Sequence, residues 1–344
     1  MSQKNKNSFQ YKRVLVTGGG GFIGSSYINS LTNFSPESKI LNLDKITYAT
    51  SKNTLRELDG LKNYSFIKSD LINEENLREI YEDFQPDLVV NFAAESHVDN
   101  SIGGPVDFIK SNFVGVLNQL EILRSSPLKN NCLFHQISTD EIFGDLNLSD
   151  QSFTEDHPYR PSSPYSSSKA SANHLIRAWS RTYNLNHLIT NCSNNFGPRQ
   201  HPEKIIPKII LNSFEGKEIP IYGDGLNIRD WLFVEDHISA LLLIQSSDVI
   251  NDTFNIGGGT EISNLELLET IFNILSEKFN VQNKDLSKEF VKDREGHDRR
   301  YSINSSKLKS VLGWNQNSDF KKSLVSTVEW YKNNSEWWKI DPPL

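Results

Sequence analysis

Short apolar runs alternate with segments of helical period through the first 195 residues. Arg13-Val14-Leu15-Val16-Thr17 predicts a strand, a helix follows from about Phe22, and Lys39-Ile40-Leu41-Asn42-Leu43 predicts the next strand. Further strands are expected at Tyr64 to Lys68, Asp87 to Phe92, Cys132 to Ser138 and His187 to Cys192. Helical spacing marks Glu74 to Phe84, Val106 to Arg124 and Lys169 to Tyr183. Strands that are apolar throughout belong in a sheet covered on both faces, and helices between successive strands make them parallel. Beyond Asn195 the alternation breaks down. Turns at Gly197-Pro198, Pro207 and Gly223-Asp224-Gly225 separate shorter elements, and Asp252 to Ile256 reads as a strand returning to the main sheet. The expected class is α/β, a doubly wound parallel sheet with a smaller C-terminal lobe. The main domain would span 12–195, with 231–257 returning to it, and the lobe would combine 196–230 with 258–338. Residues 1–11 are expected to be disordered.

Composition narrows the partners. A net charge of −7, from 36 Lys and Arg against 43 Asp and Glu, with no long basic run, argues against a nucleic-acid backbone. No apolar stretch reaches the length of a membrane span, and the polar start lacks a signal peptide's hydrophobic region, so a soluble cytoplasmic protein is expected. Cys132 and Cys192 lie in apolar runs and read as buried reduced thiols, with a pair on neighbouring strands as the alternative. His97, His135, His157, His174, His187, His201, His237 and His297 show no metal-ligand spacing, so no metal is expected. Trp330, Trp337 and Trp338 read as C-terminal packing.

Candidate chemistry begins at Gly18-x-x-Gly21-x-x-Gly24, which follows the first strand directly and opens a helix. In that context glycines let backbone N–H groups approach a diphosphate at a helix N-terminus, the Rossmann-type arrangement. Asp44 ends the next strand, where a carboxylate accepts from ribose hydroxyls and repels a 2′-phosphate, so NAD is expected rather than NADP. Asp70 closes the following strand and either caps the helix near Glu74 or contacts adenine.

Tyr-x-x-x-Lys occurs at Tyr48/Lys52, Tyr64/Lys68 and Tyr165/Lys169. Tyr64 and Lys68 read as one strand, where four residues span roughly 13 Å and the side chains cannot cooperate. Tyr48 and Lys52 lie in a polar, turn-like segment. Only Tyr165 enters a long helical pattern, which puts it on one face with Lys169, where the ammonium favours the phenolate and readies the tyrosine to take a proton from an alcohol. Thr139-Asp140-Glu141 adds an acid and a base for a second step, such as elimination beside a new ketone.

With these residues assembled, the chain resembles the dTDP-glucose 4,6-dehydratases, within the extended short-chain dehydrogenase/reductase superfamily. The likeness runs from about Arg13 to Trp338 and includes Phe92-Ala93-Ala94-Glu95-Ser96-His97-Val98-Asp99, Ile137-Ser138-Thr139-Asp140-Glu141, Ser163-Pro164-Tyr165, Pro202-Glu203-Lys204, Arg229-Asp230-Trp231 and Gly296-His297-Asp298-Arg299-Arg300. It implies that NAD oxidises C4 of the sugar. Tyr165 would take the O4 proton while Thr139 positions that oxygen, Glu141 would remove the C5 proton, and Asp140 would protonate the departing C6 hydroxyl before hydride returns to C6. It also places Phe22, Ile23, Asp44, Lys45, Ile46, Thr47, Asp70, Leu71, Ala93, Ala94, Ser111, Lys169 and Asn195 near the cofactor, with Ser96 bridging cofactor and sugar. Asn194, Lys204, Ile205, Pro220, Tyr222, Arg229, Asn264, Arg294 and His297 would surround the diphosphate and base; Arg299 and Arg300 have no equally clear place.

Four positions depart from the family pattern: Asn100 replaces the arginine of His-Val-Asp-Arg, Phe143 a frequent tyrosine, and Arg199 and His201 belong to a segment that is usually aromatic-rich. The alternatives are a UDP-glucose 4,6-dehydratase, a 4-epimerase, which has no use for the Asp-Glu pair, and a catalytically silent NAD-binding regulator. By analogy with the family the partner would be a second copy, packed through 106–124 and 169–183 as a homodimer.

Overall fold

The computed structural model describes residues 9–282 and 286–337. Its first half contains β1 (Arg13–Thr17), α1 (Phe22–Phe34), β2 (Lys39–Asp44), α2 (Lys52–Asp59), β3 (Tyr64–Lys68), α3 (Glu74–Phe84) and β4 (Leu88–Asn91). Then come α4 (Val98–Gly103), α5 (Pro105–Ile109), a π-helical turn (Lys110–Val114), α6 (Gly115–Ser125), β5 (Leu133–Thr139), α7 (Pro164–Tyr183) and β6 (Asn186–Cys192). The second half carries β7 (Asn194–Phe196), α8 (Ile205–Phe214), β8 (Ile219–Tyr222), β9 (Ile228–Phe233), α9 (Val234–Gln245) and β10 (Asp252–Ile256). The last elements are β11 (Glu261–Ser263), α10 (Asn264–Phe279), β12 (Lys288–Val291), α11 (Ser306–Leu312) and α12 (Phe320–Asn333).

Seven parallel strands form the main sheet in the order β3-β2-β1-β4-β5-β6-β10. The expected doubly wound sheet is therefore present. Its two faces follow from the alternation along β1: Val14 and Val16 face a cluster with Tyr27, Ile28 and Leu31 of α1, while Leu15 faces one with Leu77 of α3 and Val116 and Leu120 of α6. All three β1 side chains are fully buried, each contributing about 1.5–3 kcal/mol. The strand order reverses direction between β1 and β4, which opens the crevice where such sheets take ligands.

Two small sheets, β11-β9-β7 and β12-β8, make the second layer. The core is continuous across both parts: the cluster beneath α1 extends to Ile209 of α8, Leu267 of α10 and Val328 of α12. Within 231–257, Asp252–Ile256 joins the main sheet, as expected, but residues 231–233 do not. They belong to β9, which pairs with β7 and β11 because Asp230 ties that strand to the next loop, accepting from the Gly258 and Thr260 N–H groups at 2.9 Å each.

Of residues 1–11, expected to be disordered, 1–8 lie outside the described residues. Phe9 and Tyr11 pack edge to face at 5.4 Å against the core, because the chain enters beside α1 and can bury both rings there. Trp338 also lies outside the described residues. Cys132 and Cys192 are buried free thiols. No helix among the described residues is long and apolar enough to cross a membrane.

Candidate active site

The glycine turn sits at the crevice. Gly18 has φ +71°, and a Cβ there would lie 2.6 Å from the Ala93 backbone; one on Gly24 would lie 2.5 Å from the Gly18 carbonyl oxygen. Only glycine lets the turn close on the end of β4. α1 begins at Gly21 with no side-chain cap and no acidic residue in its first turn, so its free N–H groups are left to an anion. Asp44 is buried at the end of β2, its Oδ2 accepting from Gly20 N–H at 2.9 Å and its Oδ1 from Ile46 N–H at 2.8 Å. Burial holds its pKa above the ordinary carboxylate range. Ile46 has φ +59°, a strained conformation for a β-branched residue, costing on the order of 1–3 kcal/mol. Lys45 reaches Glu95 and Ser111 at 2.8 Å each. Asp70 does not cap α3: Asn73 does, accepting from Asn76 N–H, because it stands directly before the first helical residue while Asp70 turns to Ile72 N–H at 3.2 Å.

One pocket collects most of the expected residues. It is lined by Gly18, Gly21, Phe22, Ile23, Gly24, Asp44, Lys45, Thr47, Asp70, Leu71, Ala93, Ala94, Ser96 and Ser111, and continues to Thr139, Asp140, Glu141, Tyr165, Lys169, Asn194, Asn195 and Lys204. Ile46 is not part of its wall. Nor are Ile205, Pro220, Tyr222, Arg229, Asn264, Arg294 and His297, all in the second layer.

α7 starts at Pro164, five residues earlier than its helical spacing shows, because Ser163 and Ser166 cap each other's N–H groups at 3.0 Å and proline fits the first turn. Tyr165 and Lys169 therefore share one buried face of the helix. The Lys169 ammonium donates to the Ile137 carbonyl at 2.7 Å, and burial pushes its pKa down to about 8. The phenol of Tyr165 bonds Thr139 instead, and burial followed by the nearby Glu141 carboxylate holds its pKa well above the usual value. Lysine thus does not lower the phenol by direct contact.

The two carboxyls differ in surroundings. Asp140 is buried, its Oδ1 accepts only from Thr139 Oγ1 at 3.2 Å, and its Oδ2 has no hydrogen-bond partner. Burial, then Glu141 and Asp230, push its pKa well up and favour the protonated acid. Burial raises Glu141 too, but Arg229, Lys204 and Arg294 offset part of that rise, cations that Glu141 has close by and that leave its carboxyl easier to ionise than that of Asp140. The difference in surroundings sets a neighbouring acid and base apart.

The second layer supplies the cations. Arg229 is buried, donates to the Ile228 and Asp298 carbonyls at 2.8 and 3.0 Å, and lies 4.3 Å over the Tyr301 ring. Arg294 pairs with Asp99, a terminal nitrogen donating to its Oδ2 at 3.0 Å, and covers the Tyr222 ring at 5.1 Å. Lys204 donates to the Ser96 carbonyl at 3.0 Å, and His297 pairs with Asp293 at 2.6 Å. Asn264 opens α10, its N–H bonded to Asn227 O at 3.0 Å. Ile205 opens α8 and Pro220 lies in β8. Arg299 pairs with Asp224 and Arg300 with Glu261, so both brace the lobe. No group of three or more His, Cys, Asp or Glu side chains among the described residues could hold a metal.

Some supporting residues escape sequence reasoning. Asn112, buried in the π-helical turn, accepts from Glu95 N–H at 2.8 Å and donates to Glu95 O at 3.0 Å and Ser168 Oγ at 2.9 Å, joining the Ala93–Ser96 loop to α7. It is one of three amides, with Asn118 and Gln119, in a helical run that otherwise carries mostly apolar residues, and nothing in the sequence singles it out. His237 Nδ1 meets Asn195 Oδ1 at 2.8 Å; since an amide oxygen only accepts, Nδ1 carries the proton. Among the departures, Phe143 stacks on Phe153 at 5.2 Å, Asn100 donates to the Tyr48 hydroxyl at 3.4 Å, and His201 lines the pocket. Arg199 lies off its wall, between Trp330 and Trp337 at 5.8 and 5.7 Å.

Residues 15–327 match the family described as GDP-mannose 4,6 dehydratase. The chain is 44% identical over 339 residues to the dTDP-glucose 4,6-dehydratase of Neisseria meningitidis, covering 95% of each chain. It is 46% identical over 333 residues to that of Haemophilus influenzae, covering 94% of this chain and 98% of the other. The crystal structure of dTDP-glucose 4,6-dehydratase from Bacillus anthracis in complex with NAD superposes with a TM-score of 0.85 at 40% identity, covering 95% of this chain and 99% of that one.

Proposed function

The chain belongs to the GDP-mannose 4,6 dehydratase family, among its dTDP-glucose 4,6-dehydratases, and on that premise we propose that it is an NAD-dependent enzyme converting dTDP-glucose to dTDP-4-keto-6-deoxyglucose and water. The observation that carries this reading is the Asp140–Glu141 pair, poised as acid and base in the same pocket as Tyr165 and the glycine turn. The pocket fits the dinucleotide by its own geometry: an uncapped helix end for the diphosphate and a buried carboxylate for the ribose. When bound, NAD supplies the acceptor for the C4 hydride and its return to C6.

Tyr165 takes the O4 proton, with Thr139 holding that oxygen. The 4-ketone acidifies C5, and Glu141 removes the C5 proton as a carboxylate. Asp140 gives its proton to the C6 hydroxyl, which leaves as water, Glu141 returns its proton to C5, and passage of the O4 proton from Tyr165 to Asp140 restores both groups for the next turnover. Residues 12–195 and 231–257 would hold the cofactor, and 196–230 with 258–338 the nucleotide sugar. Lys204 at the pocket wall, with Arg229 and Arg294 behind it, would hold the diphosphate, a role in which guanidinium forks are strong. Exposed Ile102, Val106 and Ile109 support a homodimer through the helices after Asp99. The buried thiols suit a reducing cytoplasm.

The test uses dTDP-glucose deuterated at C4. Product carrying that deuterium at C6, and solvent hydrogen at C5, is expected; loss of the label to the medium would refute the reading. For the base, dTDP-glucose should exceed UDP-glucose in kcat/KM by a margin worth roughly 1–3 kcal/mol, since one methyl group separates thymine from uracil.

A further inference from the structure

Two distant segments face each other across the pocket. Lys45, Thr47, Ala49 and Thr50 line one side, and Gln200, His201, Glu203 and Lys204 the other. They are joined directly. The Tyr48 and His201 rings meet edge to face at 5.5 Å, and the Tyr48 hydroxyl donates to Glu203 Oε1 at 3.5 Å across 155 residues of sequence. Glu203 N–H donates to His201 Nδ1 at 3.3 Å, which leaves the ring proton on Nε2, and the ring also bonds the Tyr48 backbone. Outside the pocket, Arg199 holds Glu57 of α2 at 3.0 Å through both Nε and a terminal nitrogen, and Asn53 Nδ2 donates to the Trp337 carbonyl at 3.2 Å. Arg199 does so with φ +69°, a strained value for a residue with a Cβ.

We propose that residues 197–204 form a clasp across residues 45–59, with an inner hook of Tyr48, His201 and Glu203 and an outer hook of Arg199 and Glu57, and that this clasp sets how slowly NAD leaves. The proposal rests on the reading of the pocket as an NAD site. It meets a need of the chemistry, because hydride taken from C4 must return to C6 of the same sugar. A cofactor lost between the two steps would strand an oxidised sugar and a reduced cofactor, so residence must outlast turnover. The segment after Asp44 is the natural part to restrain, since it carries the residues that follow the ribose carboxylate and has no regular structure of its own before α2.

The experiment loads the full-length protein with carbon-14 NAD, chases with excess unlabelled NAD in the absence of sugar, and follows retained label. Arg199→Ala and Glu57→Ala, both at the surface, should each speed release by about 2- to 5-fold, and the double variant should be no faster than either alone. His201→Ala should do the same, whereas His201→Gln, which can keep an N–H near Nε2, should restore slow release. Unchanged release in Arg199→Ala and His201→Ala overturns the clasp. So does a glutamine variant as fast as the alanine one. Failure of the dehydratase reading would show separately, as label retained normally but no product formed from dTDP-glucose.

Discussion

Replacing Asp140 by Asn should make the protein less active and more stable. The carboxyl is buried with one oxygen unpartnered, its other contact is a 3.2 Å bond from Thr139, and Glu141 and Asp230 add negative charge nearby. Its pKa is therefore raised on folding, so the native state holds this proton over a pH range in which the unfolded chain has released it. Stability from this group is intact below the ordinary carboxylate value. It then falls by about 1.4 kcal/mol per pH unit as pH rises toward the folded value. Asparagine keeps the shape and removes that loss. Within this window the variant's advantage should grow with pH at that slope, about 3 °C per pH unit at roughly 2 °C per kcal/mol for a chain this long. Turnover should fall about 10²- to 10⁴-fold with the acid gone. The assay is thermal unfolding of cofactor-stripped protein from pH 4 upward, paired with steady-state kinetics. A difference in Tm that does not grow with pH, or an Asn variant as active as the parent, would refute the assignment of Asp140 as a buried, protonated acid.

Glu141→Gln should lower turnover about 10²- to 10⁴-fold and block entry of solvent deuterium at C5; because the base works as a carboxylate of raised pKa, the parent's acid limb should lie above the usual glutamate range and be missing from the variant's residual activity. Asp44→Ala should narrow the preference for NAD over NADP, read as the ratio of dissociation constants on stripped protein. Asn112→Ala removes three hydrogen bonds, one buried and two part-buried, at roughly 1 kcal/mol each, so the stripped protein should melt about 6 °C lower and bind NAD more weakly, as measured by calorimetry.

The main sheet was legible because its inner strands are apolar on both faces, its edge strand β3 alternates, and its helices keep a clean period. β1, β3 and α3 lie where the pattern places them. The small sheets were not legible: β7 and β11 are three residues each, too short for any period, and they exist because β9 lies between them. α2 was missed because its hydrophobic face is only Thr54 and Leu58. At the site, motifs identified the groups that touch the pocket, since glycine turns and Tyr-x-x-x-Lys are local in sequence. Asn112, Asp99 and Glu203 were missed because each acts on a partner far along the chain.

The structure also corrects how Tyr165 is to be understood. Spacing alone puts Lys169 on the tyrosine's face, and proximity of an ammonium would lower the phenol. In the folded chain that ammonium donates to the Ile137 carbonyl of β5 rather than to the phenol, while Glu141 pushes the phenol the other way. The carboxylate that raises the tyrosine is the one to which the proposed mechanism gives the C5 proton, so the charge that suits Glu141 to that role also makes the Tyr165 phenol harder to ionise. The conflict eases because Arg229, Lys204 and Arg294 screen Glu141. The Thr139 hydroxyl meets the phenol on one side and donates to Asp140 Oδ1 at 3.2 Å on the other, so in the proposed mechanism the group that positions O4 also joins the tyrosine half of the site to the carboxylate half.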